Sequence, residues 1–267
     1  MRKEIILGLR KKVSGKISMS SRNVTIVETS PINHCKYCLV GFPDVGLVGS
    51  IALGYTIEEQ QMTEVGYLES DAFPPVIVVH HGDPKQPLRL YSKGDIVSLV
   101  SEIPIDSRLM PSVARSIVDW AKSKNVELLI AISGIAVQNR LEIEVPAVFG
   151  IGSSPSVKEV VKGAGIQILE EGFVAGLHAV LMKECLEKNV SNVILLAQSH
   201  LQYPDPGAAA SVIAHFDKLV GLKVSTAELL AQEGEIRLRM RELMHNTQGQ
   251  MLGAGKGREQ EIPPMYS

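Results

Sequence analysis

The stretch Gly41-Phe42-Pro43-Asp44-Val45-Gly46-Leu47-Val48-Gly49-Ser50 has the composition of a ligand loop. Glycines between a strand and a helix permit a tight turn and a close backbone approach, and a helix N-terminus favours anions. The spacing G-x-x-x-x-G-x-x-G departs from the dinucleotide fingerprint, and no Gly-Lys-Ser/Thr follows as in a P-loop. Asp44 would repel a phosphate and suits the cap of the following helix. The favoured reading of Gly41, Phe42, Pro43, Asp44, Gly46 and Gly49 is therefore tight strand-to-helix packing, with a small-ligand site as the alternative. His200 and Tyr203-Pro204-Asp205-Pro206-Gly207 form a second group. They follow a strand, at the edge where ligands of open α/β sheets gather, so His200, Tyr203 and Asp205 could do acid–base work. No nucleophile partner is evident, and the favoured reading gives Asp205 a helix cap with Pro206 in the first turn.

The remaining candidates read as structural. Cys35-Lys36-Tyr37-Cys38 runs into a strand, whereas a redox C-x-x-C needs its first thiol at a helix N-terminus. A zinc site would need a second pair, and only Cys185 remains. His80 and His81 are neighbours on a strand and point to opposite faces, so they do not share an ion. Ser133-Gly134 lacks the flanks of a G-x-S-x-G elbow. No metal, cofactor or catalytic residue is expected.

Strand signals run through Asn23–Val27, Cys38–Val40, Pro75–His80, Asp95–Val100, Glu127–Ile132, Val145–Gly150, Ile166–Leu169 and Asn192–Ala197. Most are short, β-branched and nearly all apolar, as strands buried on both faces are. Between them lie helical patterns at Gly46–Gln61, Pro111–Lys124, Pro155–Gly163, Gly172–Asn189 and Pro206–Val220. The alternation predicts a three-layer α/β/α domain with a mainly parallel sheet over residues 1–245. Its last element is a helix over Ser225–Met244, with Ser225 and Glu228 forming a capping box. Residues 246–267 are rich in Gly and Gln, then pass through Ile262-Pro263-Pro264 to Met265-Tyr266-Ser267, and read as a flexible tail.

Composition narrows the function classes. Lys and Arg number 27 against 29 Asp and Glu, so no global field draws the chain to nucleic acid or an anionic membrane. Aromatics are 4% of residues, too few for a base-stacking surface. No run of 18 apolar residues marks a membrane span, and three cysteines with no signal pattern fit a cytoplasmic protein.

Gly41–Gly49, Asp71-Ala72-Phe73-Pro74-Pro75 and Tyr203-Pro204-Asp205-Pro206-Gly207-Ala208-Ala209-Ala210 occur in the order and spacing that resemble the PAC2 family. That family includes archaeal and bacterial relatives of eukaryotic proteasome assembly chaperones. The resemblance covers roughly residues 35–245 and implies a phosphorylase/hydrolase-like α/β/α core and self-assembly; the sequence shows no ATP-grasp pattern that would fit the ligase label given to some members. Met265-Tyr266-Ser267 is similar to the hydrophobic–tyrosine–any C-terminal motif of proteasome activators and assembly factors. By that resemblance Met265 supplies apolar contact, Tyr266 a ring and hydroxyl, and Ser267 the terminal carboxylate to proteasome α-subunits. The expectation is a homo-oligomeric proteasome-binding protein. The alternatives are a small-ligand or nucleotide enzyme at Gly41–Gly49 and an adaptor for another protein.

Overall fold

A computed structural model describes residues 23–232, 234–235, 243 and 245–249. The tail residues Met265, Tyr266 and Ser267, the lead before residue 23, and parts of the Ser225–Met244 helix lie outside the described residues. Among the described residues there are eleven strands: β1 (Thr25–Glu28), β2 (Tyr37–Gly41), β3 (Thr63–Glu69), β4 (Val78–His80), β5 (Asp83–Lys85), β6 (Leu88–Lys93), β7 (Ile96–Ser101), β8 (Leu128–Ala136), β9 (Val148–Gly152), β10 (Gln167–Ile168) and β11 (Asn192–Ser199). The helices are α1 (Val48–Glu59), α2 (Met110–Ser123), α3 (Pro155–Gly163), α4 (Gly176–Lys188), α5 (Pro206–Val220) and α6 (Ala227–Ala231).

One nine-stranded sheet runs in the order β1-β3-β6-β7-β2-β8-β11-β9-β10. Its centre, β7-β2-β8-β11, is parallel throughout, as the alternating pattern predicts. The wing β1-β3-β6-β7 is antiparallel, and β9 also runs against β11. The sheet is therefore mixed around a parallel core.

Alternate residues of the central strands enter two separate cores. Cys38, Val40, Val97, Leu99, Leu129, Ala131, Ile194 and Leu196 face α2 and α4. Leu39, Ile96, Val100, Leu128, Ile130, Ile132, Val193, Leu195 and Ala197 face α1, α3 and α5. The period of two thus makes an apolar run useful only when helices cover both faces. The helices meet the sheet through the expected stripes, including Val113, Ala114, Ile117, Val118 and Ala121 of α2. Leu177, Leu181 and Cys185 do the same in α4, and Ala209, Val212, Ile213 and Phe216 in α5. Full burial of a side chain such as Phe216 contributes about 1.5–3 kcal/mol.

Three expectations are corrected. Pro75–His80 is not a buried strand: only Val78–His80 pairs, in a separate β4–β5 ribbon. Val76, Ile77 and Val79 of that arm are exposed, at 46%, 54% and 62%. A proline has no N–H to give a ladder, which keeps Pro74-Pro75 out of the main sheet. Ser225 does not cap the last helix; Thr226 precedes α6 and makes no side-chain cap bond, while the Ser225 carbonyl accepts from the Tyr55 hydroxyl at 2.7 Å. Residues 245–249 are helical, so helix extends into what the composition marks as tether.

The Gly41–Gly49 stretch is a packing device. A Cβ on Gly41 would lie 2.5 Å from the Gly49 carbonyl oxygen, and one on Gly49 would lie 2.4 Å from that of Ile132. α1 thereby touches the backbones of β2 and β8. Gly54, on the same helix, has open space around it. Gly49→Ala is expected to lower stability by about 1–3 kcal/mol through overpacking. Gly54→Ala is expected to raise it by about 0.5–1 kcal/mol through helix propensity. Urea unfolding midpoints of the two variants check the contrast, and equal shifts would rule out the backbone-approach account.

Candidate functional site

A cavity of about 430 Å³ opens at the C-terminal edge of the parallel strands. The β2–α1 loop supplies Phe42 and Asp44, the end of β8 supplies Ser133 and Ile135, and the start of α4 supplies Leu177 and His178. Thr247, 1% exposed, reaches its rim from helical residues 245–249. Gln248 donates from its side chain to the Gln202 carbonyl at 2.7 Å, which holds that segment at the same edge.

Asp44 is the centre of the site and does not cap α1. The chain turns through left-handed conformations at Gly46 (φ 63°) and Leu47 (φ 52°) before the helix starts. The Asp44 carboxyl makes no cap bond and projects across the sheet edge. Its Oδ2 accepts from the Ser133 hydroxyl and lies 3.2 Å from His178 Nδ1. Asp44 Oδ1 and His178 Nε2 are buried with no hydrogen-bond partner among the described residues. Burial pushes the Asp44 carboxyl up to about 8, against the opposing pull of the Ser133 hydrogen bond. Burial also pushes His178 down to about 4, with the Ile132 carbonyl acting the other way. Both shifts favour the neutral pair, in which the acid can donate to Nδ1.

This arrangement differs from a hydrolytic triad. There the serine hydroxyl bonds to the imidazole that takes its proton. Here Ser133 and His178 both meet the Asp44 carboxyl, and Ser133 donates to that carboxyl rather than to the imidazole. The cluster can recognise a hydrogen-bonding group or carry a proton.

Asp205 forms a second, structural centre. It is fully buried and caps α5 by accepting from Ala208 N at 3.0 Å. Arg140 grips it with two bonds, Nε to Oδ2 at 2.8 Å and Nη2 to Oδ1 at 2.9 Å. His200 N donates to Oδ2 at 3.1 Å, and Asp205 N donates to the Gly46 carbonyl at 2.9 Å. The capping expectation for Asp205 and Pro206 thus holds, and the acid–base group disperses. Pro204 is buried, while Tyr203 is 64% exposed and stacks edge-on against His200, their ring centres 6.2 Å apart. Arg140 and His178 escape sequence reasoning. His178 sits beside Leu177 in an apolar helical stripe, which gives a core histidine the same pattern as a site residue.

The other candidates are structural. Cys35, Cys38 and Cys185 are free and buried in the core facing α2 and α4. Burial raises all three thiols, Cys35 and Cys185 to about 12, so their nucleophilic form is suppressed. His80 joins an ionic cluster with Glu102 and Arg89, while His81 (φ 52°) turns the ribbon.

The sequence profile of the PAC2 family matches residues 38–244, and the chain belongs to that family. PbaA of Pyrococcus furiosus, described as an archaeal homolog of proteasome-assembly chaperone, is 30% identical. The match covers 85% of this chain and 98% of PbaA, with a TM-score of 0.79. PbaB of Pyrococcus furiosus, described as an archaeal proteasome activator, shares the fold at 20% identity and a TM-score of 0.69, over 83% of this chain and 99% of its own. An uncharacterized protein of Methanocaldococcus jannaschii is 29% identical over 202 residues, 76% of this chain and 82% of its own.

The two shifted groups give the site a pH signature. A carboxyl held above its unfolded value keeps a proton in the folded state that the unfolded chain has lost, so stability falls as pH rises from 3.8 to about 8. An imidazole held below its unfolded value does the reverse between about 4 and 6.5. The slopes cancel in the shared window and leave Asp44 alone above it. Wild-type protein should lose roughly 1–2 kcal/mol relative to Asp44→Asn between pH 6.5 and pH 8. Denaturant midpoints of both proteins at the two pH values check this, and parallel curves would exclude a protonated Asp44.

Proposed function

We propose that this chain is a non-catalytic, cytoplasmic proteasome-binding factor. Several copies associate through the folded body, and each presents Met265-Tyr266-Ser267 to a groove between α-subunits of the core particle. The observation that carries this reading is the likeness to PbaA over 98% of that protein's length. The PbaB fold match and the C-terminal Met-Tyr-Ser sequence point the same way. An enzymatic reading has less support, because Ser133 hydrogen-bonds to the Asp44 carboxyl and not to the His178 imidazole as in a Ser-His-Asp triad. Among the described residues no helix is long and apolar enough to cross a membrane.

The tail's chemistry suits a groove between subunits. The aromatic ring of Tyr266 brings large apolar area with a polar tip, and a terminal carboxylate pairs with a basic side chain. Ordering a single three-residue recognition sequence opposes binding, whereas several linked copies raise avidity about 10²–10⁴-fold when geometry permits. Self-association therefore serves docking. We assign it to the β4–β5 arm, whose Val76, Ile77 and Val79 form an exposed apolar surface outside the nine-stranded sheet.

Two outcomes are expected. A chain stopped at Pro264 keeps its unfolding midpoint and its mass in light scattering but no longer binds surface-immobilised α-ring, and retained binding would reject the tail. The double substitution Ile77→Asp, Val79→Asp should leave protomer stability within about 0.5 kcal/mol, since both side chains face outward. It should reduce the mass measured by light scattering toward that of one chain. An unchanged mass would place the self-association surface elsewhere.

A further inference from the structure

The cavity at Asp44 has a chemistry that proteasome docking does not use. Its walls are mostly apolar, with Phe42, Ile105, Met110, Ile135, Phe173 and Leu177 among them. A volume near 430 Å³ falls in the range of small-molecule sites, which are typically apolar with a few convergent polar groups. Here those groups converge on one carboxyl. Ser133 and His178 engage Asp44 Oδ2, and Asp44 Oδ1 is an acceptor with no donor among the described residues. His178, 4% exposed, also keeps Nε2 without a partner there.

We infer that this cavity binds a small apolar primary amine, with its hydrocarbon body between Phe42, Met110 and Leu177 and its ammonium at the Asp44 carboxyl. Charge selects the class. No lysine or arginine among the described residues lines the cavity, so a phosphate or carboxylate ligand would enter beside a carboxyl with no cation to receive it. This weighs against a nucleotide, the ligand class that the glycine spacing first brings to mind. An ammonium offers the missing donor and a countercharge. Its approach favours the ionised form of Asp44, so the carboxyl proton leaves to solvent while the amine keeps its own. Ser133 continues to donate to Oδ2 and holds the carboxylate in place. Size follows from the volume, which admits an aromatic ring on a short chain.

Calorimetric titration of the full chain with 2-phenylethylamine, 2-phenylethanol and 3-phenylpropionate tests this. The three share ring and chain and differ in carrying a cation, a neutral hydroxyl or an anion. The amine is expected to bind most tightly and the carboxylate not to bind. Asp44→Asn should weaken the amine at least about tenfold while changing the alcohol little. Ile135→Trp, which fills the cavity from a partly exposed position, should abolish both. Near-UV circular dichroism confirms that each variant is folded. Equal binding of amine and carboxylate would overturn the inference. So would amine binding unaffected by Asp44→Asn or Ile135→Trp in a folded protein, or no amine binding at millimolar concentration. A chain stopped at Pro264 should give the same titrations, so the result stands apart from that of tail docking.

Discussion

The architecture depends on a backbone-to-backbone approach at the head of α1. Gly41 on β2 and Gly49 on α1 leave no room for a Cβ, and the Ile132 carbonyl of β8 closes the contact from the next strand. Ordinary helix-on-sheet packing interposes side chains. Removing them here draws α1 close onto the sheet beside α5, where Val48, Ile51, Ala52 and Leu53 are buried. The turn into the helix then has little freedom. Gly46 cannot carry a side chain, because a Cβ would fall 1.9 Å from Ser199 Oγ. Leu47 accepts a left-handed conformation, which costs a non-glycine residue on the order of 1–3 kcal/mol and persists only when its surroundings enforce it.

Those surroundings include Asp205. Its backbone N–H holds the Gly46 carbonyl while its carboxyl caps α5, bonds His200 N and pairs with Arg140. One buried residue thus joins the two helices of one layer to the same strand edge. A lone buried carboxylate would be destabilising, and the bidentate arginine with two backbone donors makes the position tenable. The loop that carries Asp44 is fixed from both sides, by glycine contacts behind it and by the Asp205 centre beside it. The neutral Asp44–His178 pair is a consequence. The carboxyl meets Ser133 and a neutral His178, with no lysine or arginine beside it among the described residues, so burial dominates its ionisation.

Elements with a single physical requirement were legible in the sequence. Central strands buried on both faces carry continuous apolar runs, and α2 and α5 carry clean stripes. β3 and β6 were not legible. Glu64 and Arg89 interrupt their apolar runs, and these charges pair only in the folded protein. The Pro75–His80 run misleads for the opposite reason: it is apolar like a core strand but exposed on a ribbon. The site follows the same division. The importance of Gly41, Gly46, Gly49 and Asp205 for packing could be read from turn and cap chemistry. The meeting of Asp44 with Ser133 spans 89 residues and that of Arg140 with Asp205 spans 65, and no local pattern encodes either.

The proposed docking through Met265-Tyr266-Ser267 has a physical logic. A recognition sequence of three residues offers little surface, so its affinity must come from number and from the position of its anchor. A rigid α/β body supplies both if it self-associates and ends near a fixed edge. Residues 245–249 are held at the C-terminal edge of the sheet by Thr247, buried at the cavity rim, and by Gln248 on the Gln202 carbonyl. The segment that leads to the tail therefore starts from the same place as the one polar centre in an otherwise apolar cavity. A ligand in that cavity would touch Thr247 before it touched any other part of the C-terminal segment described here. Occupancy and the position of residues 245–249 can then be coupled through that contact, by no more than the ligand's difference in affinity between the two positions.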